Sequence, residues 1–129
     1  MTKYRILVVD DEEINTITIK ELLRKNFPEC EVVTANDGDG ASGLIYEAIA
    51  LAKPFKILIT DLQMPNMDGD ELSELAKDED PKIKIIMVSG TLPTKKLDCI
   101  DHVYIKGSNP DLLVDILKSI INPQLVTSE

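Results

Sequence analysis

Five short runs of apolar and β-branched residues alternate along this chain with segments of helical periodicity. Runs of this length and composition are typical of strands that are buried on both faces. The predicted strands cover 4–9, 31–35, 57–60, 83–88 and 102–105. Because strands that alternate with helices build parallel sheets with helices on both faces, the pattern predicts a doubly wound α/β domain.

Apolar stripes at helical spacing follow four of these strands. The predicted helices begin near Ile14, Gly40, Glu71 and Pro110, the last after the N-cap residue Asn109. The segment 91–101, between the fourth and fifth strands, has poor periodicity and is interrupted by Pro93. Irregular structure or a single helical turn is therefore expected there.

The length and composition indicate a single globular domain. With 129 residues, of which 43% are hydrophobic and 29% charged, the chain can form one core but not two domains of ordinary size. We expect the domain to cover 1–122 and the tail 123–129 to be frayed or part of a linker. Cys30 and Cys99 lack the spacing of a zinc site and are expected to be reduced thiols, while His102 is expected to be structural or on the surface.

Charge and the length of the apolar runs exclude several classes of function. A net charge of -9 opposes non-specific binding to nucleic acid, and no cluster of Lys and Arg is dense enough to track phosphates. The apolar runs are too short to span a membrane, and the first is followed at once by acidic residues, unlike a secretory signal. We therefore expect a cytoplasmic protein without direct nucleic-acid or membrane contacts.

Polar residues stand at the carboxyl ends of four predicted strands. In doubly wound sheets, ligands bind beyond these ends, at the point where the strand order reverses. The apolar run 57–60 is followed by a carboxylate, and Pro65 prevents the strand from continuing. The pattern predicts that one crevice contains Asp10, Asp11, Asp61, Ser89 and Lys106.

This set of side chains suits phosphoryl chemistry. Three carboxylates in one crevice repel one another unless a cation binds among them, and an all-oxygen site with few protein ligands suits Mg²⁺. Lys106 supplies a positive charge and Ser89 a hydroxyl, and both suit the oxygens of a phosphoryl group. A carboxylate beside a metal ion and a lysine is arranged to attack phosphorus, so Asp61 is predicted to form an aspartyl-phosphate.

The motifs resemble the receiver domain of two-component response regulators. The resemblance extends from about Tyr4 to Ile121 and rests on Val-Val-Asp10-Asp11-Glu12, Asp61-Leu-Gln-Met-Pro65-x-Met-Asp-Gly69, Ser89-Gly90 and Lys106, in that order. It implies a flavodoxin-like, five-stranded parallel sheet with strand order 2-1-3-4-5. The motif Asp-Leu-Gln-Met-Pro is also similar to the corresponding motif in receivers attached to hybrid sensor kinases.

The resemblance implies that Asp61 accepts a phosphoryl group from a histidine kinase or a histidine phosphotransfer protein. Asp11, Asp61 and the backbone carbonyl of Gln63 would bind Mg²⁺, and Asp10 would act mainly through metal-bound water. Such a domain is a signalling phosphoacceptor rather than an enzyme in the usual sense, although it promotes its own phosphorylation and dephosphorylation. A weak homodimer is compatible with this family.

Further roles follow from the same resemblance. Ser89 and Lys106 would contact the phosphoryl oxygens, and Gly90 would leave the approach open. Gln63 and Thr91 would flank the site and tune hydrolysis of the phosphate.

The chain departs from the family on one side of the predicted site. Gly107 stands where receivers have a proline after a cis peptide bond, and since a cis bond before a non-proline residue costs about 3 kcal/mol, a trans path is expected. Val103 occupies the position of the usual aromatic residue, and Tyr104 is expected to point to the opposite face of its strand. The link from Ser89 to Lys106 is shorter than usual in the family. This predicts that the family's fourth helix, which lies between the fourth and fifth strands, is shortened or irregular here.

Three other functions compete with a phosphorylated receiver. A flavin- or nucleotide-binding domain is disfavoured because the acidic first loop has no glycines or hydroxyls to cradle a phosphate. A Mg²⁺-dependent phosphatase would have an Asp two residues after its nucleophile, where this chain has Gln63. A receiver-like interaction module that is never phosphorylated stays open.

Overall fold

The computed structural model describes residues 4–90 and 98–122. Its strands are β1 Arg5–Val9, β2 Glu31–Ala35, β3 Ile57–Asp61, β4 Lys84–Ser89 and β5 His102–Ile105. Its helices are α1 Glu13–Asn26, α2 Gly38–Ala50, α3 Gly69–Glu79 and α4 Pro110–Ile121. The predicted tail 123–129 lies outside the described residues, so the domain boundary at 122 stays a prediction.

The five strands form one parallel sheet in the order β2-β1-β3-β4-β5. This confirms the predicted doubly wound, flavodoxin-like fold. The order reverses between β1 and β3, because the chain runs outward to β2 and then crosses back to the other side of β1. The carboxyl ends of β1 and β3 therefore open beside each other at the switch point, where a ligand crevice is expected.

Side chains of the central strands alternate between two apolar layers. One layer packs against α2 and α3 and includes Leu7, Leu58, Ile45 and Leu72. The other packs against α1 and α4 and includes Ile6, Ile59, Leu23 and Leu117. Burial of the central strands on both faces fixes their carboxyl ends as a rigid platform.

Two helices begin two residues earlier than the apolar periodicity predicted. The side chain of Asp37 accepts a hydrogen bond from the Gly40 amide at 2.7 Å, and α2 begins at Gly38. Asp68 caps α3 in the same way, and that helix begins at Gly69. Both early turns begin with a glycine, which contributes no apolar side chain and so left no trace in the periodicity. The predicted cap at Asn109 is confirmed, since its side chain accepts from the Asp111 amide at 3.0 Å.

The link between β4 and β5 is described only at its end. Residues 98–101 form a turn without helix, and 91–97, including Thr91, lie outside the described residues. Asp101 fixes the entry to β5, because it exchanges hydrogen bonds with the backbone of Ile85 through both its amide and its carboxylate. Lys77 of α3 holds the same carboxylate at 3.1 Å.

The structure confirms several departures from the family pattern. Within the described ranges no peptide bond is cis, and Gly107 has φ +88°. Val103 is 37% exposed, whereas Tyr104 points inward and packs against the layer formed with α1 and α4.

Cys30 and Cys99 are free thiols, as expected from their spacing. Among the helices of the described segments, none is long and apolar enough to cross a membrane.

Candidate functional site

The sheet brings four of the predicted polar residues, Asp11, Asp61, Ser89 and Lys106, to one cleft of about 920 Å³ at its carboxyl edge. Asp10 is buried beside this cleft, with its carboxylate 3.3 Å from Lys106. Asp10 directly follows β1, Asp61 and Ser89 are the last residues of β3 and β4, and Lys106 directly follows β5. Four side chains that are distant in sequence thus meet because parallel strands end at the same edge. The cleft is lined by Asp11, Asp61, Gln63, Ser89, Gly90 and Lys106.

Three carboxylates form the acidic part of the site. Asp10, Asp11 and Asp61 can each offer one oxygen, and these three oxygens lie within 4.8 Å of one another. Asp10 and Asp61 are buried, whereas Asp11 is exposed at the mouth. The Glu12 amide donates to Oδ1 of Asp10 at 2.9 Å and fixes the orientation of that carboxylate. A cluster of hard oxygen donors with one open side fits Mg²⁺, which keeps several waters and works beside phosphate groups.

Lys106 joins the two buried carboxylates. Its Nζ lies 3.3 Å from Oδ2 of Asp10 and 3.3 Å from Oδ2 of Asp61. Burial disfavours the charged lysine, but the two carboxylates outweigh burial and raise the pKa of Lys106 above its usual value. Lys106 therefore stays a cation and partly neutralises the acidic cluster.

Asp61 experiences opposing electrostatic influences. Burial and the nearby charge of Asp10 raise the pKa of Asp61, while Lys106 and the Gln63 backbone lower it. The net direction is upward, so the ionised carboxylate of Asp61 is less stable here than in water. A cation that bound among the carboxylates would relieve this repulsion.

A tight loop between β3 and α3 carries Gln63 past the site. The Gly69 amide donates to the Leu62 carbonyl at 2.8 Å, and the Met67 amide donates to the Pro65 carbonyl at 2.9 Å. Asn66 adopts φ +73°, a left-handed conformation that asparagine tolerates better than most residues. The backbone of the loop that contains Gln63 is therefore held by local hydrogen bonds.

Two glycines allow this loop to lie close to its neighbours. A Cβ at Gly69 would lie 2.2 Å from the carbonyl oxygen of Asp61, and a Cβ at Gly38 would lie 2.6 Å from Cβ of Met67. The sequence analysis missed the contact between Gly38 and Met67, because it placed the start of the helix near Gly40 and assigned no role to Gly38. The Asp-Gly pair at the start of each helix, Asp37-Gly38 before α2 and Asp68-Gly69 before α3, was the signal available for both close approaches.

The other predicted positions vary in how far the structure describes them. Gln63 is exposed on the rim and Ser89 is buried at the floor of the cleft. Thr91 lies outside the described residues. Asp68 and Asp70 also line the cleft, and neither was predicted. Asp68 caps α3 and Asp70 lies in its first turn, two places that were not predicted because the helix was expected to begin near Glu71.

The family model for the response regulator receiver domain matches residues 6–103. The chain belongs to this receiver family. Receiver domains are signalling modules, and the strand order described above is that of the family's CheY-like fold.

Relatives of known sequence include several longer regulators. VraR of Staphylococcus aureus is 37% identical over 135 residues, an alignment that covers 95% of this receiver and 61% of VraR. Stress response regulator protein 1 of Debaryomyces hansenii is 29% identical over 115 residues, which cover 82% of this chain and 45% of that protein. The receiver thus spans about half the length of the curated relatives it matches first.

Solved receiver structures share the fold over nearly their whole length. A CheY-like receiver protein from Methanospirillum hungatei has a TM-score of 0.78 and 27% identity, with 95% of this chain and 96% of that chain covered. TrrA from Thermotoga maritima, solved in complex with Mg²⁺ and BeF, has a TM-score of 0.76 and 26% identity. The alignment covers 91% of this chain and 98% of TrrA.

Proposed function

We propose that this receiver takes a phosphoryl group from a phosphohistidine onto Asp61 in a Mg²⁺-dependent reaction. The observation that carries the proposal is the joint contact of Lys106 Nζ with Asp61 and Asp10, 3.3 Å from each. Asp61 and Lys106 line a cleft that is large enough for a phosphoryl group. The donor would be a histidine kinase or a histidine phosphotransfer protein in the cytoplasm. The complex of TrrA with Mg²⁺ and BeF supports the choice of metal ion.

In the forward reaction, a carboxylate oxygen of Asp61 attacks phosphorus as the P–N bond of the phosphohistidine breaks. The bonding electron pair leaves with the imidazole nitrogen, and the phosphoryl group ends on Asp61 as an acyl phosphate. Lys106 would bind a phosphoryl oxygen as charge moves onto the transferred group, and Ser89 would donate its hydroxyl to another. The domain would thus promote its own phosphorylation by orientation and charge.

The metal ion would be held by Asp10, Asp11, Asp61 and the backbone carbonyl of Gln63. When bound, it supplies positive charge that offsets the repulsion between the carboxylates and the phosphoryl oxygens. In a separate hydrolysis step, a water oxygen would attack phosphorus as the P–O bond to Asp61 breaks, which releases the ionised Asp61 carboxylate and inorganic phosphate, with the water proton lost to solvent. Gln63 and Thr91 would position or exclude that water.

Intact mass after incubation with acetyl phosphate and Mg²⁺ tests the proposal. Asp61 would displace acetate by breaking the P–O bond, so the wild type should gain one phosphoryl group and Asp61→Asn none. Asp68→Asn is a matched control on the rim of the same cleft, since asparagine caps a helix as well as aspartate does. Equal mass gain in Asp61→Asn and the wild type would refute the assignment of Asp61 as phosphoacceptor. No mass gain in the wild type or in either variant would refute phosphorylation itself and would favour a module that is not phosphorylated.

Replacing Asp11 should weaken Mg²⁺ binding without lowering the stability of the metal-free protein. Asp11 is the exposed member of the acidic cluster, so Asp11→Ala removes one metal ligand and one source of charge repulsion. We expect Mg²⁺ affinity to fall by at least ~10-fold, the low end of losses at metal sites, while the metal-free protein unfolds at an equal or higher urea concentration. Mg²⁺ titration and urea unfolding measure the two effects, and an unchanged Mg²⁺ affinity would remove Asp11 from the proposed site.

The lifetime of the phosphorylated form should depend on Gln63 and Thr91. Neither side chain can act as a base, so we expect slow to moderate autohydrolysis whose rate changes when either is replaced by alanine. The decay of phosphorylated protein, followed by intact mass after the donor is removed, measures the rate. Phosphoryl uptake should persist in both variants, and decay rates equal to that of the wild type in both would contradict this role.

A further inference from the structure

Lys106 stands in a turn with a defined geometry. Its amide donates to the Ser89 carbonyl at 2.8 Å, which continues the β4–β5 ladder by one residue, and the Ser108 amide then donates to the Ile105 carbonyl at 3.1 Å. Lys106 and Gly107 are the two central residues of this turn. With φ +88° at its third position, the turn has the pattern of type II, which requires glycine or asparagine there.

Tyr104 ties the far end of this turn to the strand. Its hydroxyl donates to the Ser108 carbonyl at 2.6 Å, while its ring packs against the apolar layer shared with α1 and α4. Burial raises the pKa of Tyr104, which keeps the hydroxyl protonated and able to donate. The last residue of the turn is thus held at its amide by Ile105 and at its carbonyl by Tyr104.

A fixed backbone matters because the side chain of Lys106 is long. Lysine carries about 2 kcal/mol of rotamer entropy, which opposes holding Nζ at one point. Nζ nevertheless reaches two carboxylates at the ends of different strands, each at 3.3 Å, so small displacements of the Lys106 backbone would move it away from one or both. The family pattern places a cis-proline after the lysine, the residue that defines type VI turns, and this chain has glycine in a trans peptide there instead.

We infer that Tyr104 is a positioning residue for Lys106, and that Gly107 and the Tyr104–Ser108 hydrogen bond together replace the cis-proline in holding the phosphoryl-binding lysine. This inference rests on the proposed function. Tyr104 touches neither the carboxylates nor the reacting group, so its contribution passes through the turn.

Removing the hydroxyl alone tests this role. Tyr104→Phe keeps the packed ring and should slow phosphoryl uptake from acetyl phosphate roughly fivefold, the change expected for one hydrogen bond. Tyr46→Phe is the matched control, because Tyr46 lies 48% exposed on α2, and its rate should equal that of the wild type. In a Lys106→Met background, Tyr104→Phe should cause no further slowing, whereas a purely structural effect would slow both backgrounds equally.

Gly107 gives a second, independent comparison. A Cβ at Gly107 would meet no atom of the described structure within 4 Å, so a substitution acts through the left-handed backbone and not through a clash. Gly107→Ala should slow uptake roughly fivefold, and Gly107→Asn should recover most of the rate because asparagine tolerates positive φ.

The outcomes separate this inference from the proposed function. A wild type that takes no phosphoryl group refutes the proposed function, and hydrogen exchange then still tests the turn, since Tyr104→Phe should speed exchange of the Ser108 amide several-fold. Unchanged exchange, an unchanged rate in Tyr104→Phe, or slowing that persists in the Lys106→Met background would overturn the role of Tyr104.

Discussion

Replacing Lys106 by methionine is expected to slow phosphoryl transfer to Asp61 on the order of 100-fold, the loss found when one preorganised donor to a developing charge is removed. Methionine keeps most of the side-chain volume and removes only the ammonium group. The initial rate of mass gain with acetyl phosphate and saturating Mg²⁺ measures the effect. Mg²⁺ should bind more tightly to the variant than to the wild type, because the competing positive charge 3.3 Å from two carboxylates is gone.

The same substitution should destabilise the metal-free protein. Asp10 and Asp61 have side chains only 2% and 10% exposed, and without Lys106 their charges lie unpaired in a buried site. We expect a loss of about 2 kcal/mol in the free energy of unfolding, below the usual range for a broken buried pair because Lys106 is itself 30% exposed. Saturating Mg²⁺ should reduce this loss.

Lys82→Met is the matched control for both measurements. Lys82 is exposed on the loop before β4, at the opposite end of the sheet from the cleft. Its replacement should leave the rate and the Mg²⁺ affinity unchanged. A rate in Lys106→Met within threefold of the control would show that the phosphoryl group does not depend on this lysine.

Gly69→Ala is expected to lower the free energy of unfolding by about 3 kcal/mol, at the upper end of overpacking effects. The added Cβ would lie 2.2 Å from the Asp61 carbonyl oxygen and 3.0 Å from Cα of Leu62. Both neighbours are backbone atoms, so no side chain can rotate away, and either β3 or α3 must shift. Because the clash is with the backbone of Asp61 itself, a shift of β3 or of the loop to α3 would disturb the site, and phosphoryl uptake by the folded protein should also slow.

Gly43→Ala is the same chemical change as Gly69→Ala, but it is expected to raise the free energy of unfolding instead of lowering it. Gly43 lies inside α2, and no atom of the described residues is within 4 Å of an added Cβ. Alanine should stabilise the helix there by about 0.5–1 kcal/mol. Urea unfolding of both variants tests the pair, and equal effects of the two substitutions would show that the close approach at Gly69 does not constrain the loop.

Much of this molecule follows from local patterns in its sequence. Apolar runs that alternate with helical stripes determine a parallel doubly wound sheet, since only helices on both faces bury strands of that composition. Parallel strands end at one edge, so residues placed after those runs, such as Asp10, Asp61 and Lys106, could be assigned to one site before any distance was known. The Asn109 cap was predicted correctly, and the predicted bounds of β2 and β5 match the structure to the residue.

Other features depend on which atoms approach across the fold. The two early helix starts and the contact of Gly38 with Met67 involve glycines, whose importance lies in neighbours that local periodicity does not encode. The pairing of one lysine with two carboxylates depends on the reach of a flexible side chain between adjacent strand ends.

In the turn after β5, some features follow from the local sequence and others from the tertiary structure. The sequence determined that glycine replaces the expected proline and that a trans path follows, because the energy of a cis bond is a local property. Only the tertiary structure decided that Tyr104 would hold this turn, since its hydroxyl reaches Ser108 only after the ring has packed between β5 and the α1–α4 layer. Local chemistry thus selects the parts of the site, and long-range packing selects the contacts that hold them in place.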